Sequence, residues 1–150
     1  MDYKQEKSQL DLRLFRIWMK ANKAVFENIR KDIESYSISP ENFMVLELLY
    51  NKGAHPIQKI SETLSIPSGS ITYVVNKLEK QGLVERKPNP NDKRAFNVTL
   101  TENGEVLFSE MFAQHVTTIS ENFSFVSNEE KEQLVGLLKK IGIGAQSLQK

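Results

Sequence analysis

Cysteine is missing from all 150 residues of the chain. Its absence excludes disulfides, thiolate metal sites, thiol nucleophiles and cysteine-based redox sensing together. Histidine is almost as scarce. His55 and His115 stand far apart in sequence, in no catalytic or metal-ligand spacing, and only carboxylates are left to complete a metal site. An enzyme and a metal sensor are therefore both disfavoured, and no cofactor is expected. No apolar run approaches the ~18 residues that a membrane span needs. The opening MDYKQEKSQLDLR is too charged for the apolar stretch of a signal peptide, so the cytoplasm is the expected location, with no membrane partner. Net charge is also low: at +1 it excludes binding to nucleic acid through bulk charge alone, and any such contact requires a local concentration of charge.

The distribution of charge along the chain supplies that concentration. Residues 55–100 carry seven Lys and Arg against four Asp and Glu, whereas residues 101–150 carry four against seven. With 39% hydrophobic and 26% charged residues, the composition is that of one globular unit with enough apolar material for a core.

Periodicity predicts a mainly α protein. From about Ser8 to Tyr36, Leu10, Leu14, Ile17, Ala21, Val25, Ile29 and Ile33 recur at steps of three and four, which describes one long amphipathic helix. Phe15, Trp18 and Phe26 lie off that stripe, a pattern that fits either a wide core face or a face covered by a second chain. Ser39-Pro40-Glu41 reads as a capped helix start before a helix to Asn51, ended near Gly53. A brief helix over Gln58–Leu64 and a turn at Ser65-Ile66-Pro67 follow. Ser68 then stands as a cap for a helix to Gln81 whose Ile71, Val74, Val75 and Leu78 face inward.

Leu83–Lys87 and Ala95–Leu100 read as strands joined by a long polar tip, Pro88 to Arg94. Thr101 opens a helix toward Phe125 with Leu107, Met111, Phe112, His115, Ile119 and Phe123 on its apolar side. Ser127-Asn128-Glu129-Glu130 is a capping box for a last helix carrying Leu134, Leu137, Leu138 and Ile141. Gly136, Gly142 and Gly144 weaken that helix, and its end is expected to fray unless a partner holds it.

Short helix, turn, helix and hairpin in that order make a winged helix-turn-helix, in which the second helix enters the major groove and the hairpin tip reaches beyond it. The outward face of residues 68–81 offers hydroxyls, an amide, a phenol and Lys77, all able to meet phosphates and base edges. At the tip, Asp92 two residues before Arg94 is expected to hold the guanidinium in one orientation, suited to a narrow minor groove. Lys93, Lys87 and Arg86 are expected on phosphates.

Residues 68–104, SGSITYVVNKLEKQGLVERKPNPNDKRAFNVTLTENG, resemble the recognition helix, wing and following helix start of MarR-family regulators, including Asp-x-Arg at Asp92 and Arg94 and Leu-Thr-x-x-Gly at Leu100–Gly104. Element order resembles the family over the whole chain. The resemblance implies a winged helix-turn-helix lobe (39–100), dimerisation helices (1–38 and 101–150), an obligate homodimer on a pseudo-palindromic operator, and Arg94 in the minor groove braced by Asp92. It further implies base contacts from Ser68, Ser70, Thr72, Tyr73, Asn76 and Lys77. Tyr73 departs from the pattern, since many members place a basic residue there. Ser-Gly-Ser-Ile-Thr-Tyr-Val-Val followed by Lys-Leu-Glu-Lys-Gln-Gly is most similar to the branch that responds to quinones and hydroquinones.

Family members that bind phenolic acids do so in a cleft between the dimerisation helices and the DNA-binding lobe. Phe15, Trp18 and Phe26, Phe43 and Met44, and Phe108, Met111, Phe112 and His115 are the candidates for its wall, although aromatic residues at helical spacing more often form core. The expected function is a repressor of transcription released by a small aromatic ligand. A regulator without a ligand and a winged-helix module that binds protein instead of DNA are the alternatives.

Overall fold

The computed structural model describes residues 3–149; Met1, Asp2 and Lys150, at the ends of the expected dimerisation segments, lie outside the described residues. These form six helices and one antiparallel hairpin: α1 (Tyr3–Ser35), α2 (Pro40–Lys52), α3 (Ile57–Leu64), α4 (Ser68–Lys80), β1 (Val84–Asn89), β2 (Asp92–Leu100), α5 (Glu102–Asn122) and α6 (Asn128–Ser147). None of the described helices is long and apolar enough to cross a membrane.

Local chemistry sets most of the boundaries. Ser39 caps α2 by accepting from the Asn42 amide at 3.2 Å, and Gly53 ends the helix at φ 83°, a region open to glycine at little cost. The α3–α4 turn closes through Ser61, whose hydroxyl donates to the Ile66 carbonyl while its own carbonyl accepts from the Ile66 amide. At α4 the expected cap is displaced by one residue. Pro67 occupies the cap position and its carbonyl accepts from the Ile71 amide, so Ser68 is the first helical residue and caps nothing with its side chain. The amides of Ser68, Gly69 and Ser70 are consequently left without intrahelical partners, at the positive end of the helix.

The hairpin also differs from expectation, because its strands reach almost to the tip. Pairing runs from Val84 opposite Leu100 to Asn89 opposite Asp92, with an irregularity at Pro88, and only Pro90 and Asn91 lie between the strands. Two side chains shape this tight end. Asn89 Oδ1 accepts from the Asn91 amide at 2.9 Å and Asp92 Oδ1 from the Arg94 amide at 3.0 Å, bonds that preset a turn. Proline is tolerated at position 88 because a two-stranded hairpin has edge positions that need no amide. His55 adds a single bridge to Val98, donating at 3.0 Å and accepting at 2.8 Å.

The buried core belongs to one part of the molecule. Val45, Leu46, Ile60, Ile71, Val75, Leu78, Val84, Val98 and Phe108 are sealed from solvent, and Phe43, Leu48, Leu49 and Val74 nearly so. On α5 it is Phe108, one position beyond the expected Leu107, that enters this core; Leu107 stays exposed. Only the last third of α1 and the turn after it take part, through Asp32 and Ile33 on the helix and Tyr36 just beyond it. Leu10, Leu14, Ile17, Trp18 and Phe26 are all exposed, and α6 buries none of its residues. α6 is helical as far as Ser147, started by the reciprocal bonds of Ser127 and Glu130.

Candidate nucleic-acid interface

α4 is amphipathic, with Ile71, Val74, Val75 and Leu78 in the core and Ser68, Ser70, Tyr73, Asn76 and Lys77 exposed opposite them. Thr72 sits at the border, its hydroxyl donating to the Ser68 carbonyl at 2.9 Å and keeping acceptor capacity. Tyr73 is prominent on this face, with 71% of its surface exposed. A shallow groove runs between this face and the start of α2, lined by Ser39, Glu41, Asn42, Gly69, Ser70, Tyr73, Val74 and Lys77.

The hairpin tip is polar and exposed as well. Lys93 and Arg94 are exposed, and among the described residues neither they nor Lys77 has an acidic partner. The brace expected between Asp92 and the Arg94 guanidinium is replaced by the bond from Asp92 to the Arg94 backbone. In so tight a turn the amide two residues on is nearer than the end of a long side chain. The carboxylate therefore shapes the turn and leaves the guanidinium unencumbered.

Two of the other cations expected on phosphates are already engaged. Lys87 Nζ lies 3.3 Å from Glu85 on the same strand, an exposed pair of little energetic weight. Arg86 is fixed at two points: Nη1 lies 2.5 Å from Glu79 Oε1 and Nη2 lies 2.6 Å from Asn76 Oδ1, tying β1 to the last turns of α4.

The aromatic residues expected around a ligand separate into two groups. Phe43 packs against Tyr36, Phe108 and His115 at ring distances of 6.0, 5.2 and 4.8 Å, and Tyr50 against Phe108 and Phe112. Met111 and Phe112 are partly buried beside them, and Met44 faces outward. Phe15 and Trp18 are not in this group. Phe15 lies 20 residues before Ser35, the last residue of α1, about 30 Å along the helix at 1.5 Å per residue.

Between α1 and α5 runs a polar seam that sequence reasoning missed. The buried Asp32 carboxylate accepts from Tyr36 Oη at 2.8 Å and from Thr118 Oγ1 at 2.9 Å, and lies 3.0 Å from His115 Nδ1. Asn28 donates to Asn122 at 2.8 Å one turn away. A trace was present in sequence, since Asp32 continues the i+3 and i+4 steps between Ile29 and Tyr36 on an otherwise apolar stripe. Burial pushes the Asp32 carboxyl up, but the bonds from Tyr36, His115 and Thr118 together outweigh it and hold the group below the usual carboxylate value. Burial and then the Asp32 carboxylate raise the Tyr36 phenol.

A depressed carboxyl contributes stability that is present above its unfolded value, about 3.9, and is lost as pH falls through its lower folded value. Asp32→Asn is therefore expected to lower unfolding stability by about 2 kcal/mol near neutrality. In denaturant titrations the gap from the unsubstituted protein should shrink as pH falls below about 4. A gap independent of pH would mean that only packing was lost.

A short helix, a turn, a helix with an outward polar face and a hairpin with free cations at its tip define a winged helix-turn-helix protein, a class that docks the second helix on DNA. The MarR family model matches residues 38–96. The HTH-type transcriptional regulator MhqR of Bacillus subtilis is 38% identical over 92% of this chain and 95% of its own. The HTH-type transcriptional repressor MdtR of the same organism is 25% identical over 95% and 90%. Apo MarR from E. coli superposes with a TM-score of 0.68 at 26% identity, covering 85% of this chain and 96% of that one. The chain belongs to the MarR family, whose members are DNA-binding transcriptional regulators and not enzymes.

Proposed function

We propose that this protein is a homodimeric repressor that binds a pseudo-palindromic operator and is released from it by a small aromatic ligand. The observation that carries the DNA-binding part is that Lys77 on the outward α4 face and Lys93 and Arg94 at the hairpin tip are exposed and, among the described residues, have no acidic partner. Arg94 reaches the minor groove, and Lys87 and Lys93 meet phosphates. Ser68, Ser70, Thr72, Tyr73, Asn76 and Lys77 lie in the major groove. The repressor reading is supported by MdtR, a relative that is named as one.

A second copy is what the terminal helices require. α6 carries three glycines, each costing about 1 kcal/mol against alanine, and its own chain gives it no buried contact. Most of a helix's stability comes from packing an amphipathic face, and a partner would supply that for α6. Leu134, Leu137, Leu138 and Ile141, with the exposed first half of α1, supply the apolar face for the partner.

The ligand acts through this dimer. It need only favour the arrangement in which the two recognition helices no longer match half-sites ~34 Å apart, and its differential affinity sets the loss of DNA binding. Phe43, Met44, Met111, Phe112 and His115 flank the junction of α2 with α5. Phe15 and Trp18 enter such a site only across the dimer, because their own chain carries them far from Phe43.

A salt series of binding to the promoter DNA upstream of its own gene, against random duplex, tests the reading, with Arg94→Ala as the variant and phenols and quinones as candidate inducers. Preference for the promoter, a steep salt slope, loss of at least tenfold in affinity with Arg94→Ala and release by one aromatic compound are expected. Specific binding that no compound relieves would remove the ligand. Equal affinity for random duplex would favour a protein-binding module instead.

A further inference from the structure

We propose that Arg86 is a positioning residue for base recognition: it fixes the Asn76 amide so that Asn76 meets the operator through its NH2 group and reads a hydrogen-bond acceptor on a base edge. The inference rests on the DNA-binding reading given above. Asn76 lies on the exposed face of α4, one turn beyond Tyr73 and beside Lys77. Its amide oxygen is 2.6 Å from Arg86 Nη2. An arginine side chain has five donors and no acceptor, so the group facing it must be the amide oxygen. The ambiguity that usually attends an asparagine amide is therefore removed by chemistry.

Arg86 is itself well held. Glu79, three residues and one turn along α4 from Asn76, takes its other terminal nitrogen at 2.5 Å, and only a quarter of the Arg86 side chain is exposed. The guanidinium thus has its charge matched and its position fixed before any DNA arrives, and Asn76 inherits that fixed geometry. Among the described residues nothing bonds to the Asn76 nitrogen, so both of its hydrogens remain available to a ligand.

In the major groove guanine offers such a donor two acceptors, O6 and N7, thymine offers O4, and adenine offers only N7, beside an amino group that gives the NH2 nothing to meet. Cytosine offers only its amino group and is rejected. Adenine is recognised by an asparagine that turns both oxygen and nitrogen to the same base edge, and Arg86 draws the oxygen away. The expected result is one position in each half-site where guanine or thymine is preferred.

Selection from a randomised duplex library by the intact protein, followed by sequencing, tests this. Asn76→Ala identifies the position. Arg86→Met should reduce the preference there from about tenfold to about twofold, admitting adenine, while other positions and the salt slope stay unchanged. Asn76→Asp keeps an oxygen for Arg86 but puts an acceptor where the NH2 stood, and should switch that position toward cytosine with weaker binding overall. This second variant keeps the test open should Arg86→Met fail to fold, which circular dichroism reports. An unchanged profile for either variant overturns the proposal. So does a salt slope reduced by about 0.9 in Arg86→Met with its base preferences intact, which would make Arg86 a phosphate contact. Failure of the unsubstituted protein to select any sequence overturns instead the reading on which the proposal rests.

Discussion

Leu138→Glu is expected to convert the dimer to monomers and to abolish operator binding at concentrations that saturate the unsubstituted protein. Leu134, Leu138 and Ile141 recur at i, i+4 and i+7 on α6, all substantially exposed in the single chain. Burying a leucine against a partner stabilises the interface by roughly 2 kcal/mol, and an unpaired carboxylate in its place costs several more. In a two-fold dimer each substitution occurs twice. Operator binding should fall further still, because two linked recognition helices gain about 10²–10⁴ over one by effective concentration. Sedimentation or light scattering over a dilution series measures the mass, and band-shift titration the binding. The core formed by α2, α3, α4, the hairpin and Phe108 contains no residue of α6, so the monomer should keep much of its helical signal. A substituted protein that remains a dimer would show that α6 is not the interface.

The elements that could be read from sequence are those decided by near neighbours. Three- and four-residue steps locate all six helices to within a few residues, because a helix buries one face wherever it packs. Ser39 at α2 and the Ser127–Glu130 box at α6 cap as read, since a cap is a bond across three residues. At α4 two residues competed for the same role, and Pro67, with its φ already fixed near the helical value and no amide to satisfy, took it from Ser68. The hairpin tip looked longer because prolines and asparagines read as loop. Here the same residues make a tight turn, with Asn89 and Asp92 holding the backbone.

Side-chain partners far apart in sequence were not legible. Arg86 looks like a free cation beside Lys87 until folding places it against Glu79 and Asn76, seven and ten residues away on another element. Asp32 looks like a solvated charge until α5 brings Thr118 and His115 to it across 86 and 83 residues. The aromatic residues show the same limit from the other side. Phe15 and Phe43 both suggest a ligand wall, and only the unbroken length of α1 shows that one chain cannot bring them together.

Gly104→Ala is expected to destabilise the protein by about 3 kcal/mol or more, a large effect for adding one methyl group. The Leu-Thr-x-x-Gly run folds as one unit at the start of α5. Thr101 Oγ1 donates to the Gly82 carbonyl at 2.5 Å and accepts from the Gly104 amide at 3.0 Å, and the Thr101 amide donates to the Leu83 carbonyl at 3.1 Å. These bonds draw the first turn of α5 onto the junction between α4 and β1. A Cβ on Gly104 would stand 2.0 Å from the Leu83 carbonyl oxygen and 2.9 Å from its carbon. Both are backbone atoms of a chain already held by its bonds, so neither can give way as a flexible side chain would. Relief requires α5 to lift from the junction, which breaks the Thr101 bonds and loosens Phe108 in the core. The melting temperature should fall by about 6–12 °C for a chain of this size. DNA binding should weaken as well, since α5 joins the recognition lobe to the terminal helices. Gly69→Ala is the control. Nothing lies within 4 Å of a Cβ placed there, and α4 should gain a few tenths of a kcal/mol from alanine's better helix propensity. Equal melting temperatures for the two variants would mean that the junction yields without cost.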